Sequence, residues 1–299
     1  MKILFPIYPV KSKVIKHLDN LPDDFVIGAG LPEGRCFAIG WGGSVHGAKS
    51  VAMETGFFWD GMHLDTMGLY KQSSLNTVKG VEQVLKFRAP RSATDLVFGS
   101  KLPHSKYRQT KYNVNWDGVV LALQNPGDRS ILCGASPEDY YDFVYNACRI
   151  YNKRLFLKCH PWNSGEVFER LKSYSDEFGC RIEKCNHTVI SKCKFVLVWN
   201  STFAVDCFLR GVRVAQFAPG YFYQTPAVTY TEGRYPNHVP DTTDDGYRMA
   251  DFLIWKYCFN IAMPQEKWVD MLRHFRDSSK LFPMTEDFCY ANNIHWSEK

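Results

Sequence analysis

Four apolar runs between Asp117 and Phe217 decide the fold: GVVLALQ at 118–124, RLFLKC at 154–159, FVLVWN at 195–200 and VRVAQF at 212–217. Each has strand length and is bounded by turn-forming residues. The chain between them reads as helix. SPEDYYDFVYNACRIY at 136–151 opens with a serine cap, a proline and acids in the first turn, then keeps helical spacing. Ser164 to Phe178 is capped by serine and stopped by Gly179, and Ser201 to Arg210 is stopped by Gly211. CRIEK at 180–184 reads as a short strand and HTVISKC at 187–193 as a short helix. Strands alternating with helices of this length imply right-handed crossovers and a parallel sheet, a Rossmann-like lobe.

Outward from this lobe the pattern is less regular. ILFPIY, DFVIGAG, CFAIGW and SVAMETGFF predict strands, and a helix is expected from about Leu75 to Phe87. Together they predict a smaller α/β lobe over 1–115. The polar stretch from Leu102 to Trp116 reads as the linker, and 116–245 as the second lobe. Helices are expected over Tyr247–Ile261 and Pro264–Arg276, in a C-terminal segment, 246–299, that packs back across the lobes.

Composition narrows the function. The chain has 299 residues, 45% hydrophobic and 22% charged, as in ordinary globular proteins. No apolar run is long enough to span a membrane. MKILFPIYP is too short for a signal-peptide core and reads as a first strand. A cytoplasmic protein is expected, in the bacterial cytoplasm or phage-encoded and acting in the host. The ten cysteines are scattered through apolar patterns, without a C-x-x-C pair, so reduced core thiols are expected and no metal. The net charge of +5 suits an anionic partner but is mild for a dedicated DNA-binding domain.

Ligands of open α/β sheets bind beyond the carboxyl ends of the strands. Three polar clusters fall there: Asn125-Pro126-Gly127-Asp128-Arg129-Ser130, His160-Pro161, and Ser201-Thr202 at a helix start. Each has a plain structural alternative. Pro-Gly-Asp is turn chemistry, a histidine can end a strand, and a serine can cap a helix. Hydroxyls and backbone N–H groups at a helix start also suit a phosphate, and a histidine beside them can donate to it. In the first lobe, METGFFWDGMHLDTMGLYKQSSLN at 53–76 carries Glu54, Asp60, His63 and Asp65. It reads as a strand followed by a glycine-broken acidic loop, the wall of a site or a solvated loop.

This ordered set resembles the bacterial capsule-polysaccharide Kdo transferases. Their acidic-Gly-Phe segment corresponds to Glu54-Thr55-Gly56-Phe57-Phe58. Asp-x-x-Gly-x-Tyr and its following Ser correspond to Asp65-Thr66-Met67-Gly68-Leu69-Tyr70 and Ser73-Ser74-Leu75. The strand ending in Gln and leading to Asp-x-Ser corresponds to Gln124 and Asp128-Arg129-Ser130. Lys-x-His-Pro is Lys158-Cys159-His160-Pro161, and the Asn-Ser-Thr helix start is Asn200-Ser201-Thr202, running to Arg210-Gly211-Val212-Arg213-Val214. The match spans Val51 to Phe217 and is similar also to the motif series of CMP-dependent bacterial sialyltransferases. Where the family carries Glu in the helix after Ser-Thr, this chain carries Asp206.

The resemblance implies a GT-B-like α/β fold, two Rossmann-like lobes facing a cleft, and a nucleotide-sugar-dependent glycosyltransferase. The implied donor is a CMP-sugar, CMP-Kdo or a relative, with a UDP-sugar possible, and no further cofactor. The implied acceptor is a bacterial surface glycan. Asp128 is implied as the nucleophile of a retaining double displacement, with Glu54 as acid/base and His160 at the reacting phosphate. His160, Pro161, Ser201, Thr202, Asn200, Lys158 and Asp206 would hold the nucleotide, and Asp60, Asp65, Gln124, Arg129 and Ser130 the substrate. Two other readings stand beside this one. The mild basicity and small size suit a phage-type transferase that glycosylates modified bases of duplex DNA. A nucleotide- or glycan-binding module without catalysis is the other.

Overall fold

The computed structural model describes residues 2–6, 21–28, 36–41, 49–106 and 110–294. Its strands run β1 (Lys2–Pro6), β2 (Phe25–Gly28), β3 (Cys36–Trp41), β4 (Lys49–Thr55) and β5 (Gly61–Asp65) in the N-terminal part. β6 (Val119–Ala122), β7 (Leu155–Lys158), β8 (Arg181–Glu183), β9 (Phe195–Val198), β10 (Val214–Gln216) and β11 (Thr229–Tyr230) follow, and β12 (Cys258–Asn260) comes last. They form two six-stranded sheets, ordered β12-β5-β4-β3-β1-β2 and β11-β10-β9-β6-β7-β8.

Two compact units follow from this: Met1–Tyr107 with Ala250–Lys299, and Arg108–Met249. In the second unit every pairing is parallel. The core strands β6, β7 and β9 are buried along their whole length, as expected of a sheet covered on both faces. The helix Pro137–Tyr151 starts on a capping box: Ser136 Oγ accepts from the Asp139 N–H and the Asp139 carboxylate accepts from the Ser136 N–H. The helix Gly165–Phe178 ends where Gly179 takes a left-handed φ of 66°. Tyr140, Phe143, Val144 and Ala147 of the first helix pack on Leu121, Leu157, Leu197 and Trp199 of the sheet.

The first unit departs from the sequence expectation twice. The stretch after β4 is not an open loop: β5 turns back antiparallel to β4, pairing Glu54 with His63 and Ala52 with Asp65, and is buried throughout. The helix expected to reach Ile261 stops earlier. Thr243–Phe252 is α-helical, Leu253–Tyr257 widens into a π turn, and β12 then pairs antiparallel with β5 at the sheet edge. Among the described residues no helix is long and apolar enough to cross a membrane.

Candidate functional site

The parallel register of β6 with β7 and β9 brings Gln124, His160 and Asn200 to one edge of the second sheet. Side-chain amides tie the three strand-end loops together. Gln124 Nε2 donates to Ser130 Oγ (3.1 Å) and to Asn200 Oδ1 (3.1 Å), while the Asn200 N–H donates to Gln124 Oε1 (3.3 Å). Asn200 Nδ2 donates to the Ser130 carbonyl at 2.7 Å and to that of Pro219 at 3.3 Å. The Gln124 N–H is taken by the buried Tyr140 hydroxyl at 2.7 Å.

The third link, Asn163, belongs to none of the three polar clusters that the sequence marks. Asn163 is 0% exposed. Its Oδ1 accepts the His160 N–H at 2.8 Å and its Nδ2 donates to the Gln124 carbonyl at 3.1 Å. It therefore fixes the His-Pro loop to the end of β6. Its only sequence signal is a polar residue directly after His160-Pro161-Trp162.

His160 is half-buried, and its Nδ1 accepts the Trp162 N–H at 3.2 Å. That bond puts the proton of the neutral ring on Nε2, which makes Nε2 a donor. The Trp162 ring stands edge-on to His160, centroids 5.3 Å apart, and is 59% exposed. Asp128 caps the short turn Arg129–Leu132, Oδ1 accepting the Ser130 N–H at 2.8 Å, so its carboxylate has a fixed direction. Arg129 is exposed beside it. Ser201 Oγ accepts the Phe203 N–H at 3.1 Å, and Thr202 makes no capping bond to the six-residue helix Phe203–Phe208. Both hydroxyl residues are half-buried.

Lys158 and Asp206 point into the unit rather than toward that edge. Lys158 Nζ donates to the Cys185 carbonyl at 3.1 Å and lies 5.4 Å from the Phe203 ring centroid. Burial pulls its pKa below the ordinary lysine value. Asp206 Oδ1 is 3.1 Å from His187 Nδ1 and 3.6 Å from Arg210. Burial lowers the His187 pKa, and the Asp206 charge opposes that shift. The resemblance assigned both Lys158 and Asp206 to the nucleotide. Here their charged atoms are engaged by protein groups.

In the first unit the acidic residues separate by environment. Glu54 is the penultimate residue of β4, half-buried, with Oε1 accepting the Thr55 N–H at 2.8 Å. Asp60 sits in the β4–β5 turn with φ 51°, and its carbonyl accepts the Ile261 N–H at 3.0 Å. Asp65 is buried in a closed ring of donors. They are the N–H groups of Met67 (2.8 Å), Gly68 (3.1 Å) and Ser74 (2.9 Å), and the hydroxyls of Ser73 (2.6 Å), Ser74 (3.0 Å) and Tyr257 (2.5 Å). A carboxylate so saturated holds the chain in place, and the Asp-x-x-Gly-x-Tyr stretch is wrapped around it. His63 is buried and packed against both Phe57 (5.0 Å) and Tyr257 (5.1 Å), whose own ring centroids are 6.1 Å apart, and burial pushes its pKa down to about 3.

Solved structures carry the same arrangement of elements. The beta Kdo 2,7 transferase of Thermosulfurimonas dismutans KpsC superposes with a TM-score of 0.59 at 16% identity, over 93% of this chain and 100% of that one. The chain shares this fold. The beta Kdo 2,4 transferase of the same KpsC gives 0.54 at 14% identity, over 87% of this chain and 92% of the other. The α/β, GT-B-like fold implied by the motifs is therefore the fold of the chain. No protein-family model and no curated protein sequence matches it.

Proposed function

We propose that the chain is a glycosyltransferase that binds a nucleotide sugar at the edge formed by β6, β7 and β9. The observation that carries this reading is the amide lattice of Gln124, Asn163 and Asn200, which holds Asp128, His160 and Ser201 on one rigid frame. The KpsC likeness supports it, because those proteins are Kdo transferases that share the fold. The donor we propose is a CMP-sugar of the Kdo class, and the acceptor a bacterial surface glycan.

In this reading His160 Nε2–H and the hydroxyls of Ser201 and Thr202 hold the donor phosphate. The Asp128 carboxylate attacks the anomeric carbon as the bond to the phosphate oxygen breaks, and nucleoside monophosphate leaves. An acceptor hydroxyl then attacks the glycosyl-aspartate, gives its proton to a general base and frees Asp128. Retention follows from the two inversions.

A thermal-shift screen of CMP-, UDP- and GDP-sugars, followed by mass spectrometry with glycan and duplex DNA acceptors, tests the proposal. A CMP-sugar should raise the melting temperature and label a glycan. Asp128→Asn should bind donor but not transfer it, and His160→Ala should weaken CMP binding by about 1.5–3 kcal/mol, the range for a charge-assisted hydrogen bond. Absence of any nucleotide-induced shift would refute the transferase reading. Labelled DNA would replace the glycan with a base as acceptor.

A further inference from the structure

A cavity of about 420 Å³ lies wholly within the first unit, and none of its lining residues is among those assigned above. It opens between the helix Val78–Lys86, the π turn Leu253–Tyr257 and the segment 280–286. Its floor is apolar. Phe252 packs edge-on against both Phe87 (5.6 Å, 90°) and Phe282 (4.8 Å, 82°), and Met284 completes the surface. Phe87 is half-buried.

The walls carry three lysines, Lys86, Lys256 and Lys280, against one carboxylate, Glu286. Lys86 pairs with Glu82 at 3.6 Å, but both side chains are more than half exposed, so that pair is weak and exchangeable. Lys256 and Lys280 form no ion pair among the described residues. Lys256 Nζ stands 5.9 Å from the Phe87 ring centroid, so its charge lies beside that half-buried ring.

We propose that this cavity binds a carboxylated sugar unit of an acidic glycan. Its volume falls in the range of small-ligand sites. An aromatic floor accepts the apolar C–H side of a pyranose ring, and cations on surrounding walls match a carboxylate whichever way it is presented. Duplex DNA instead asks for an extended basic face along a phosphate backbone, without a greasy hollow. The site goes beyond the transferase reading and does not depend on it, since it shares no residue with the frame around Asp128 and His160.

The test is binding without turnover. Oligosialic acid, neutral maltodextrin, inorganic phosphate and a DNA duplex are titrated into the intact protein by calorimetry and by ligand-observed NMR. Oligosialic acid should bind and weaken with added salt, and maltodextrin should not bind detectably. Lys256→Gln/Lys280→Gln should weaken oligosialic acid on the order of tenfold, with melting temperature and CMP affinity unchanged. Phe87→Leu, which keeps the apolar packing but removes the ring, should weaken it also. No binding of oligosialic acid, equal binding by maltodextrin, or equal binding by the double variant would overturn the proposal. Phosphate competing at equal concentration would make the cavity a simple anion site, and a duplex displacing the sugar would make it a nucleic-acid site; either result overturns it too.

Discussion

Asn163 is one side chain doing the work of two backbone partners. Removing it leaves the His160 N–H and the Gln124 carbonyl, both at a buried strand end, without the amide that now pairs them. Each such loss costs about 1–3 kcal/mol. Asn163→Ala should therefore destabilise the protein by about 2–4 kcal/mol in urea unfolding, and should weaken CMP binding because His160 loses its fixed position. Unchanged stability would show that the loop repairs itself. His63 makes a different kind of demand. Its folded pKa, about 3, lies below its unfolded value of 6.5, so the unfolded chain binds a proton that the native chain refuses. Stability is then fully present above pH 6.5 and falls as pH drops from there toward 3, by up to about 1.4 kcal/mol per pH unit from this group. His187, also lowered by burial, adds loss of the same sign. His63→Phe, which keeps a ring against Phe57 and Tyr257, should flatten this acid limb in pH-dependent denaturation; an unaltered slope would assign it to other groups. None of this is written in the local sequence. His63 and Asp65 read as loop residues of a possible site because their neighbours are glycines and acids, while Tyr257, which covers both, lies far along the chain.

At the scale of elements, legibility follows how local the burial is. β6, β7 and β9 are continuous apolar runs, and burial on both faces makes them unmistakable as strands. β12 was open to misreading because WKYCFNIA suits a buried helix as well as a strand; the vacant edge of β5 decides it. The helix starts at Val78, three residues after the expected Leu75, because Ser74–Asn76 forms a tight 3₁₀ turn with Ser73 and Ser74 donating to Asp65. That turn meets the helix at Gly80, where an added Cβ would lie 2.0 Å from the Ser74 carbonyl oxygen. The obstacle is backbone and cannot swing aside. Gly80→Ala should accordingly cost about 1–3 kcal/mol as overpacking, where the same change in an open helix would gain up to about 1 kcal/mol. Thermal denaturation checks the sign: a stabilised Gly80→Ala would mean that the helix and the Asp65 turn are not in contact.

For the whole molecule, the chain path separates two kinds of unit. The second unit is one continuous segment with its own core and its own parallel sheet. The first is completed only by the C-terminal segment. β12 closes the edge of β5, Arg273 and Arg276 pair with Asp24, Tyr290 donates to the Trp59 carbonyl, and Trp255 to that of Arg91. Deleting 250–299 would strip all of these at once and open a hydrophobic sheet edge, a recognised route to aggregation. Residues 108–249 made alone should therefore unfold cooperatively and give dispersed amide resonances, whereas 1–107 alone should not fold and should gain structure when co-expressed with 250–299. The same cut separates the functional proposal from the fold. Asp128, His160, Asn163, Asn200 and Ser201 all lie within 108–249, so this fragment should bind CMP within about tenfold of the intact chain. A folded 108–249 that fails to bind CMP, where the intact protein binds it, would mean that the nucleotide site draws on the first unit and that the frame at β6, β7 and β9 is insufficient to hold it.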